Sequence, residues 1–280
     1  MAVLAFCSAA GSPGVTTTAI GVTQHWPGSA VLMDADCHSA VPTGLLGGQQ
    51  SVSGGLLRVL EAAQFGRDVR NAVWDQSMPL PGDDPDGIRR LFLPGMPTLP
   101  GLRSLEQAWG EVAAGLAQLG PAGVDVIVDL GRITNPAGVH PALIGAISEL
   151  CLLVRPTLRD VAAARWVAGR IREQCGTTGK ARVVVMAAGP HHRGFDDAEV
   201  AEALGLPTRT RIPHDPAWAA VWSDGMAPPR RLGRDRTETG DAAKGKGGRG
   251  RYRHVVAHLA MSLHDRARVR PEAGFLEGSV

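Results

Sequence analysis

Residues 3–18 of the chain read VLAFCSAAGSPGVTTT, and this stretch is the strongest indication of the fold. Its first five residues form a short apolar run that is typical of a strand buried in a sheet. The small residues after it form a glycine-containing loop, and the threonines begin a helix that stops before Pro27 and Gly28. A second apolar run, residues 30–33, ends at Asp34 and Asp36. This order predicts a βαβ unit with parallel strands.

The same alternation continues along the chain. Further apolar runs predict strands at residues 91–93, 124–130, 150–154, 182–186 and 209–212. Helical spacing of apolar residues predicts helices at residues 56–63, 105–116, 157–171, 197–204 and 254–268. Residues 78–87 are rich in proline, aspartate and glycine, and we expect a loop there. The fold class predicted is α/β, a doubly wound, mostly parallel sheet with helices on both faces.

Composition excludes several classes of protein. The chain has 280 residues, of which 44% are hydrophobic and 20% charged, so it is globular rather than disordered. No apolar run is long enough to span a membrane, and residues 1–10 lack the basic start of a signal peptide. The four cysteines are far apart and form no C-x-x-C pair, which argues against a zinc site or a disulfide framework. We therefore expect a cytoplasmic protein without a transmembrane segment.

The basic residues are unevenly distributed. Only three of the 29 are lysines, and none of these lies in the first 179 residues. Residues 230–253 hold nine basic and three acidic residues interleaved with glycines, and two prolines precede them. We therefore divide the chain into a domain at residues 1–226, a basic flexible linker or loop at 227–253, and a C-terminal helix of the same domain plus a tail at 254–280. The basic segment at 230–253 fits either a solvated linker or a contact with DNA or an anionic surface.

The glycine-containing loop has some of the chemistry of a phosphate site. Backbone N–H groups at such a loop and at a helix N-terminus attract anions. Gly14 is the final loop glycine and Thr16 stands where a P-loop has its Mg²⁺-binding Ser or Thr, but Val15 stands where the lysine belongs and Ala9 replaces the first glycine. The alternative interpretation is an ordinary tight turn between a strand and a helix.

Acidic residues strengthen the phosphate interpretation. Asp34, Asp36 and Asp129 each follow or end a predicted strand. Because parallel strands end at the same edge of a sheet, these carboxylates are expected near the loop, where they would hold Mg²⁺ through water and orient an attacking water. Caps and turns formed by aspartate are the alternative.

With this loop and these acids, the chain resembles the MinD/ParA group of deviant Walker P-loop ATPases, including its CpaE/TadZ branch. Residues 10–17, AGSPGVTT, align with the family loop K-G-G-x-G-K-T-T. Asp34 and Asp36 correspond to the D-x-D strand end, and Asp129 corresponds to the end of the Walker B strand. Residues 203–207 and 212–216 match the later helix, G-I-P and I-P-x-D-P segments. The resemblance covers about residues 1–226 and the last helix.

The resemblance implies ATP or ADP and Mg²⁺ as cofactors. It implies that Thr16, Asp34 and Asp129 hold the metal and that Asp36 positions the attacking water. The loop residues implied to bind the nucleotide are Gly11, Ser12, Gly14, Val15, Thr16 and Thr17. Both family lysines are absent, replaced by Ala10 and Val15, so this Walker A loop is degenerate. We expect nucleotide binding to be weak or lost and hydrolysis to be slow or absent, because a preorganised charge at a phosphate site is worth ~3–4 kcal/mol in the transition state.

Three functions follow as hypotheses. The first is a protein that works with protein partners to position pilus or secretion machinery, a chromosome or plasmid, or the division site; family members sandwich ATP between two subunits, which implies a homodimer. The second is a nucleotide-free pseudo-ATPase scaffold, and the third is a DNA binder acting through residues 230–253. The sequence offers weaker candidates too. His191, His192, Asp196 and Asp197 suggest a solvated loop rather than a metal site, and Trp166, Trp218 and Trp222 suggest core or interface.

Overall fold

The architecture is taken from a computed structural model. It describes residues 2–10, 14–36, 44–46, 54–81, 87–95, 107–133, 141–175, 181–186, 194–229 and 251–269. Gly11, Ser12 and Pro13 of the loop lie outside this set. So do most of the basic segment, residues 230–250, and the pair His191 and His192.

Within the described residues the chain alternates between strands and helices. The strands are β1 (Val3–Ser8), β2 (Ser29–Asp34), β3 (Met78–Pro79), β4 (Arg90–Leu93), β5 (Val124–Arg132), β6 (Glu149–Val154), β7 (Ala181–Met186) and β8 (Thr208–Ile212). The helices are α1 (Val15–Gln24), α2 (Leu56–Gln64), α3 (Val69–Gln76), α4 (Ala108–Ala117), α5 (Pro141–Ala146), α6 (Leu158–Cys175), α7 (Asp197–Leu204), α8 (Pro216–Ser223) and α9 (Arg251–Val269).

One eight-stranded sheet runs through the fold in the order β3-β4-β2-β5-β1-β6-β7-β8. Every neighbouring pair is parallel except β3 and β4, which are antiparallel. Parallel strands covered on both faces are expected to be continuous apolar runs, and β1 and β6 are buried along their whole length. The predicted α/β class is confirmed.

The sheet has a separate apolar core on each face, so the predicted two-sided cover is confirmed. One core joins inward side chains of the sheet to α2 through α7, for example through Val59 and Val112. The other joins the sheet to α1, α8 and α9, through Ile20, Trp222 and Val256. Because α9 packs in this second core, the last helix completes the cover over α1.

Several local predictions were wrong or incomplete. Residues 78–87 were expected to be a loop, but Met78–Pro79 pairs with β4. The last helix begins at Arg251, so residues 251–253 are helical rather than part of a linker. Helix α4 is described from Ala108, and residue 105, where its start is predicted, lies outside the described residues. Helices α3, α5 and α8 were not predicted, because each has only six to eight residues, too few turns to show a clear helical period.

The C-terminal helix is held at both of its ends. Near its start, the Tyr252 hydroxyl donates to the carbonyl oxygen of Thr17 at 3.0 Å. Near its end, Arg266 lies 3.4 Å from the buried carboxylate of Glu149, which Arg209 also approaches at 3.7 Å. None of the described helices has a stretch of the length and apolarity that crossing a bilayer requires.

Candidate functional site

Strand register brings two predicted acids side by side at the carboxyl edge of the sheet. The Cα of Asp34, at the end of β2, is paired with the Cα of Asp129 in β5. Both side chains are buried, with 2% and 1% of their surface exposed. The N–H of Ala35 also donates to the carbonyl oxygen of Asp129 at 2.8 Å, which fastens the two strand ends together. The close approach of these acids was predicted, and the structure places them as expected.

Asp129 is the most perturbed acid at this edge. Its pKa is raised to about 6, chiefly by burial and to a smaller extent by the nearby negative charge of Asp36. Hydrogen bonding from the Thr16 side chain and from the N–H of Gly131, the latter at 2.8 Å, opposes this rise. A buried carboxylate that costs this much to ionise is well suited to a cationic ligand, which would favour its charged form.

Asp36 lies over the end of β5. Its N–H donates to Oδ1 of Asp34 at 3.1 Å, and its carboxylate packs against Gly131, whose φ of 58° is left-handed. A Cβ at Gly131 would collide with that carboxylate. Gly95 packs similarly on Asp34, since a Cβ there would lie 2.8 Å from the carboxyl group. Two glycines therefore make room for the acid cluster, a role that no sequence pattern predicts.

The start of α1 faces the same cluster. Gly14 is its N-cap residue, with a left-handed φ of 90°, so no side chain caps the helix, and its first turn holds no acidic residue. Thr16 lies in this first turn and contacts Asp129. The structure thus brings together Thr16, Asp34, Asp36 and Asp129. The adjoining Thr17 instead accepts the Tyr252 hydrogen bond through its carbonyl oxygen.

Val15 does not face a ligand in the way a P-loop lysine would. Only 6% of its surface is exposed, and it belongs to the apolar core that includes Phe6 and Ile20. The place of the P-loop lysine is therefore taken by a core residue. Gly11 and Ser12, the other predicted loop residues, lie outside the described residues.

Two further residues lie at this edge. Ser8, the last residue of β1, has a buried hydroxyl with no hydrogen-bond partner among the described residues. Arg132 ends β5 and is exposed. Neither belongs to a spacing that predicts a phosphate site, so only the register of the sheet reveals them. The weaker metal candidates have structural roles instead, because Asp196 caps α7 and Asp197 pairs with Arg211.

The tryptophans were predicted to lie in the core or at an interface, and the core placement is confirmed for Trp222. Trp222 is buried, and Trp218 is half-buried beside it with Arg253 over its ring. Trp166 on α6 remains 57% exposed, so it is not a core residue.

The donors at this edge fit Mg²⁺ together with a phosphate anion better than Mg²⁺ alone. Asp129 Oδ2 is buried and has no hydrogen-bond partner among the described residues. Hard oxygen donors of this kind suit Mg²⁺, which usually takes one or two carboxylates and completes its shell with water and phosphate oxygens. In the part of the chain that is described, no three His, Cys, Asp or Glu side chains form a metal-binding group by themselves. A phosphate ligand would supply the remaining oxygens.

The first strand of this parallel sheet leads through a glycine-ended loop into a helix, and acids lie on the neighbouring strand ends. This is the architecture of a P-loop NTPase. No protein-family model and no curated protein sequence matches the chain. The solved structures supply the closer comparison. A ParA family ATPase from Chlorobium tepidum is similar over 96% of this chain and 99% of its own, at 16% identity and a TM-score of 0.63.

Two MinD structures are similar to the same extent. The MinD of the MinC:MinD cell division complex from Aquifex aeolicus matches over 95% of this chain and 96% of its own, at 14% identity and a TM-score of 0.65. The septum site-determining protein MinD complexed with Mg-ADP, from Pyrococcus horikoshii, matches over 97% of this chain and 99% of its own, at 15% identity and a TM-score of 0.63. The chain therefore has the fold of the MinD/ParA ATPases.

Proposed function

We propose that this chain is a MinD/ParA-like P-loop protein that binds ATP or ADP with Mg²⁺ weakly, hydrolyses ATP slowly or not at all, and positions a larger cellular complex. The observation that carries the proposal is the register pairing of the buried Asp129 with Asp34, beside Thr16 in the uncapped first turn of α1. The similar MinD structure that holds Mg-ADP supports the choice of ligand.

The chain's own residues would divide the work at this site as follows. The N–H groups at the start of α1 would bind phosphate oxygens. Thr16, Asp34 and Asp129 would hold Mg²⁺, and Asp36 would orient a water molecule. Bound Mg²⁺ supplies the positive charge that offsets the phosphates and the carboxylates. Ala10 and Val15 stand where the family has lysines. Without those charges the transition state is less stabilised, which supports slow turnover.

The complex that is positioned is proposed from the similar proteins. These are a ParA family ATPase, a MinC:MinD cell division complex and a septum site-determining protein MinD. We propose partner proteins of the same broad kind here, belonging to a division site, a chromosome or plasmid, or, as in the CpaE/TadZ branch, a pilus or secretion machine. Co-purification of the tagged chain from its own cells, with mass spectrometry of the bound proteins, tests which of these is the cargo.

Nucleotide binding is the first test. Calorimetry with Mg·ADP and Mg·ATP should show weak binding that disappears when EDTA removes Mg²⁺, because the three carboxylates then repel the phosphates. Thr16→Ala should weaken this binding, whereas Thr210→Ala on the distant strand β8 serves as the matched control and should not. Phosphate release measured beside it should be slow; rapid turnover would contradict the part of the proposal that concerns hydrolysis.

The burial of Val15 favours a second candidate, a nucleotide-free scaffold that acts through protein contacts. It predicts a melting temperature that millimolar ATP or ADP does not change, since only a ligand that binds the native state stabilises it. The double substitution Ala10→Lys and Val15→Lys should then create nucleotide binding if the remaining backbone cradle is intact.

A further inference from the structure

A phosphate site in this chain needs a source of positive charge other than lysine. Residues 1–179, which contain the whole loop and the three acids, have no lysine. Val15 is buried in the apolar core. Without another cation, a phosphate approaching this edge would meet the carboxylates of Asp34, Asp36 and Asp129. Apart from bound Mg²⁺, positive charge at this site must therefore come from arginine.

The sheet places two arginines at the right edge. Strands β5 and β6 flank β1, and Arg132 ends β5 while Arg155 follows β6. Arg155 is half-buried and already engaged in an interaction within the chain. Arg132 is exposed, and its side chain forms neither a salt bridge nor a hydrogen bond with any residue that the structure describes. Of the two, Arg132 is available for a ligand.

The backbone of Arg132 is fixed beside the start of the loop. Its Cα is paired with that of Ser8, the last residue of β1, and the next residue, Ile133, donates its N–H to the Ser8 carbonyl oxygen at 2.8 Å. The left-handed Gly131 lies immediately before it and carries the Asp36 contact. Arg132 thus extends from a rigid strand end, next to the loop and to the acids.

We propose that Arg132 is the cationic residue that binds the phosphate groups of the nucleotide, in place of the missing lysines. The inference rests on the proposed function and adds to it the residue that makes binding feasible. A guanidinium is always charged and presents a planar pair of donors that matches two phosphate oxygens, so one arginine supplies both charge and orientation.

Calorimetry on the full chain tests this assignment with Mg·ADP and with Mg·pyrophosphate, a probe that contains only the phosphate groups. Arg132→Ala should weaken binding of both ligands by roughly tenfold to a hundredfold, the range typical of a lost charge-assisted hydrogen bond. Arg132→Lys should recover part of the affinity, because it restores charge but not the two-donor geometry. Arg165→Ala removes the same charge from an exposed position on α6 and should change affinity less than twofold.

The outcomes separate this inference from the proposed function. Equal affinities for the wild type and Arg132→Ala would overturn the assignment of Arg132 and leave the nucleotide site standing. No binding of either ligand by the wild type would overturn both. Unchanged melting temperatures of the variants without ligand show that a loss of affinity comes from the site and not from unfolding.

Discussion

Asp129 interacts with most of the other residues of the site. It is buried, it is paired in register with Asp34, and Asp36 lies close enough for its charge to matter. Its ionised form is opposed by desolvation and by like charge, and is favoured by Thr16 and by the N–H of Gly131. The folded chain therefore holds a carboxylate whose ionisation works against its own stability when no cation is present.

The first prediction concerns this cost. Burial raises the pKa of Asp129 from 3.8 to about 6, so the native state binds its proton more tightly than the unfolded state. The stabilising protonated form is fully present below pH 3.8 and is lost as the pH rises through about 6. Asp129→Asn should therefore raise the free energy of unfolding at pH 8, by roughly 3 kcal/mol at most. Urea denaturation without Mg²⁺ between pH 4 and pH 8 measures it.

The pH dependence distinguishes this explanation from a general packing effect. The difference between Asp129→Asn and the wild type should shrink toward pH 4, where the wild-type carboxyl is protonated. A difference that is the same at every pH would show that ionisation of Asp129 is not its cause. Substitution of the exposed Asp75 by asparagine is the control for the loss of one surface charge.

At the scale of the element, the end of β5 organises the site. Gly131 turns the strand with a left-handed φ of 58°, leaves room for the Asp36 carboxylate, and donates its N–H to Asp129. The same turn brings Arg132 to the surface beside Ser8. One strand end therefore sets the positions of two acids and one base.

The second prediction tests the role of Gly131 against a matched glycine. Gly123 has a similar φ of 71°, but a Cβ there meets nothing within 4 Å, whereas a Cβ at Gly131 collides with Asp36. Gly123→Ala should cost about 1 kcal/mol for backbone strain alone, and Gly131→Ala should cost more and also weaken Mg·ADP binding. Urea denaturation and calorimetry measure the two effects.

Equal costs for the two glycine substitutions would show that Asp36 moves aside freely. In that case the contact with Gly131 would not hold the acid in place.

The elements themselves could largely be predicted. Buried strands such as β1 and β6 were predicted because a strand covered on both faces is a continuous apolar run. Strand β3 was not, since its two residues are Met78 and Pro79 and only the antiparallel neighbour β4 makes them a strand. Helix α8 was missed because its eight residues make too few turns to show a clear helical period, and only the structure places its Trp222 against Tyr252 of α9.

At the scale of the whole molecule, the C-terminal helix belongs to the core over α1. Tyr252 is buried and bonds to Thr17, and Glu149 joins Arg209 and Arg266 at the opposite end. The boundary of the basic segment therefore matters in any experiment on it. A deletion through residue 253 would remove core contacts together with surface charge.

The third prediction uses this boundary. Residues 230–250 hold seven basic and three acidic residues, and replacing them with a Gly/Ser segment of equal length leaves α9 complete. If the basic segment binds DNA, the wild type should shift duplex DNA at low salt, added salt should weaken the shift, and the replacement should abolish it. The free energy of unfolding should stay unchanged.

No shift by the wild type at low salt would remove the DNA hypothesis. A shift that the replacement retains would locate the binding elsewhere on the molecule.

The alternation of strands and helices, the loop before α1 and the acids at the strand ends could all be predicted from the amino-acid sequence. They depend on apolar runs and small residues that are neighbours along the chain. Only the tertiary structure decided which side chains meet. The pairing of Asp34 with Asp129, the burial of Val15 and the place of Arg132 beside Ser8 depend on the order and register of strands far apart in sequence. Those contacts are set by packing across the sheet, which no local pattern encodes.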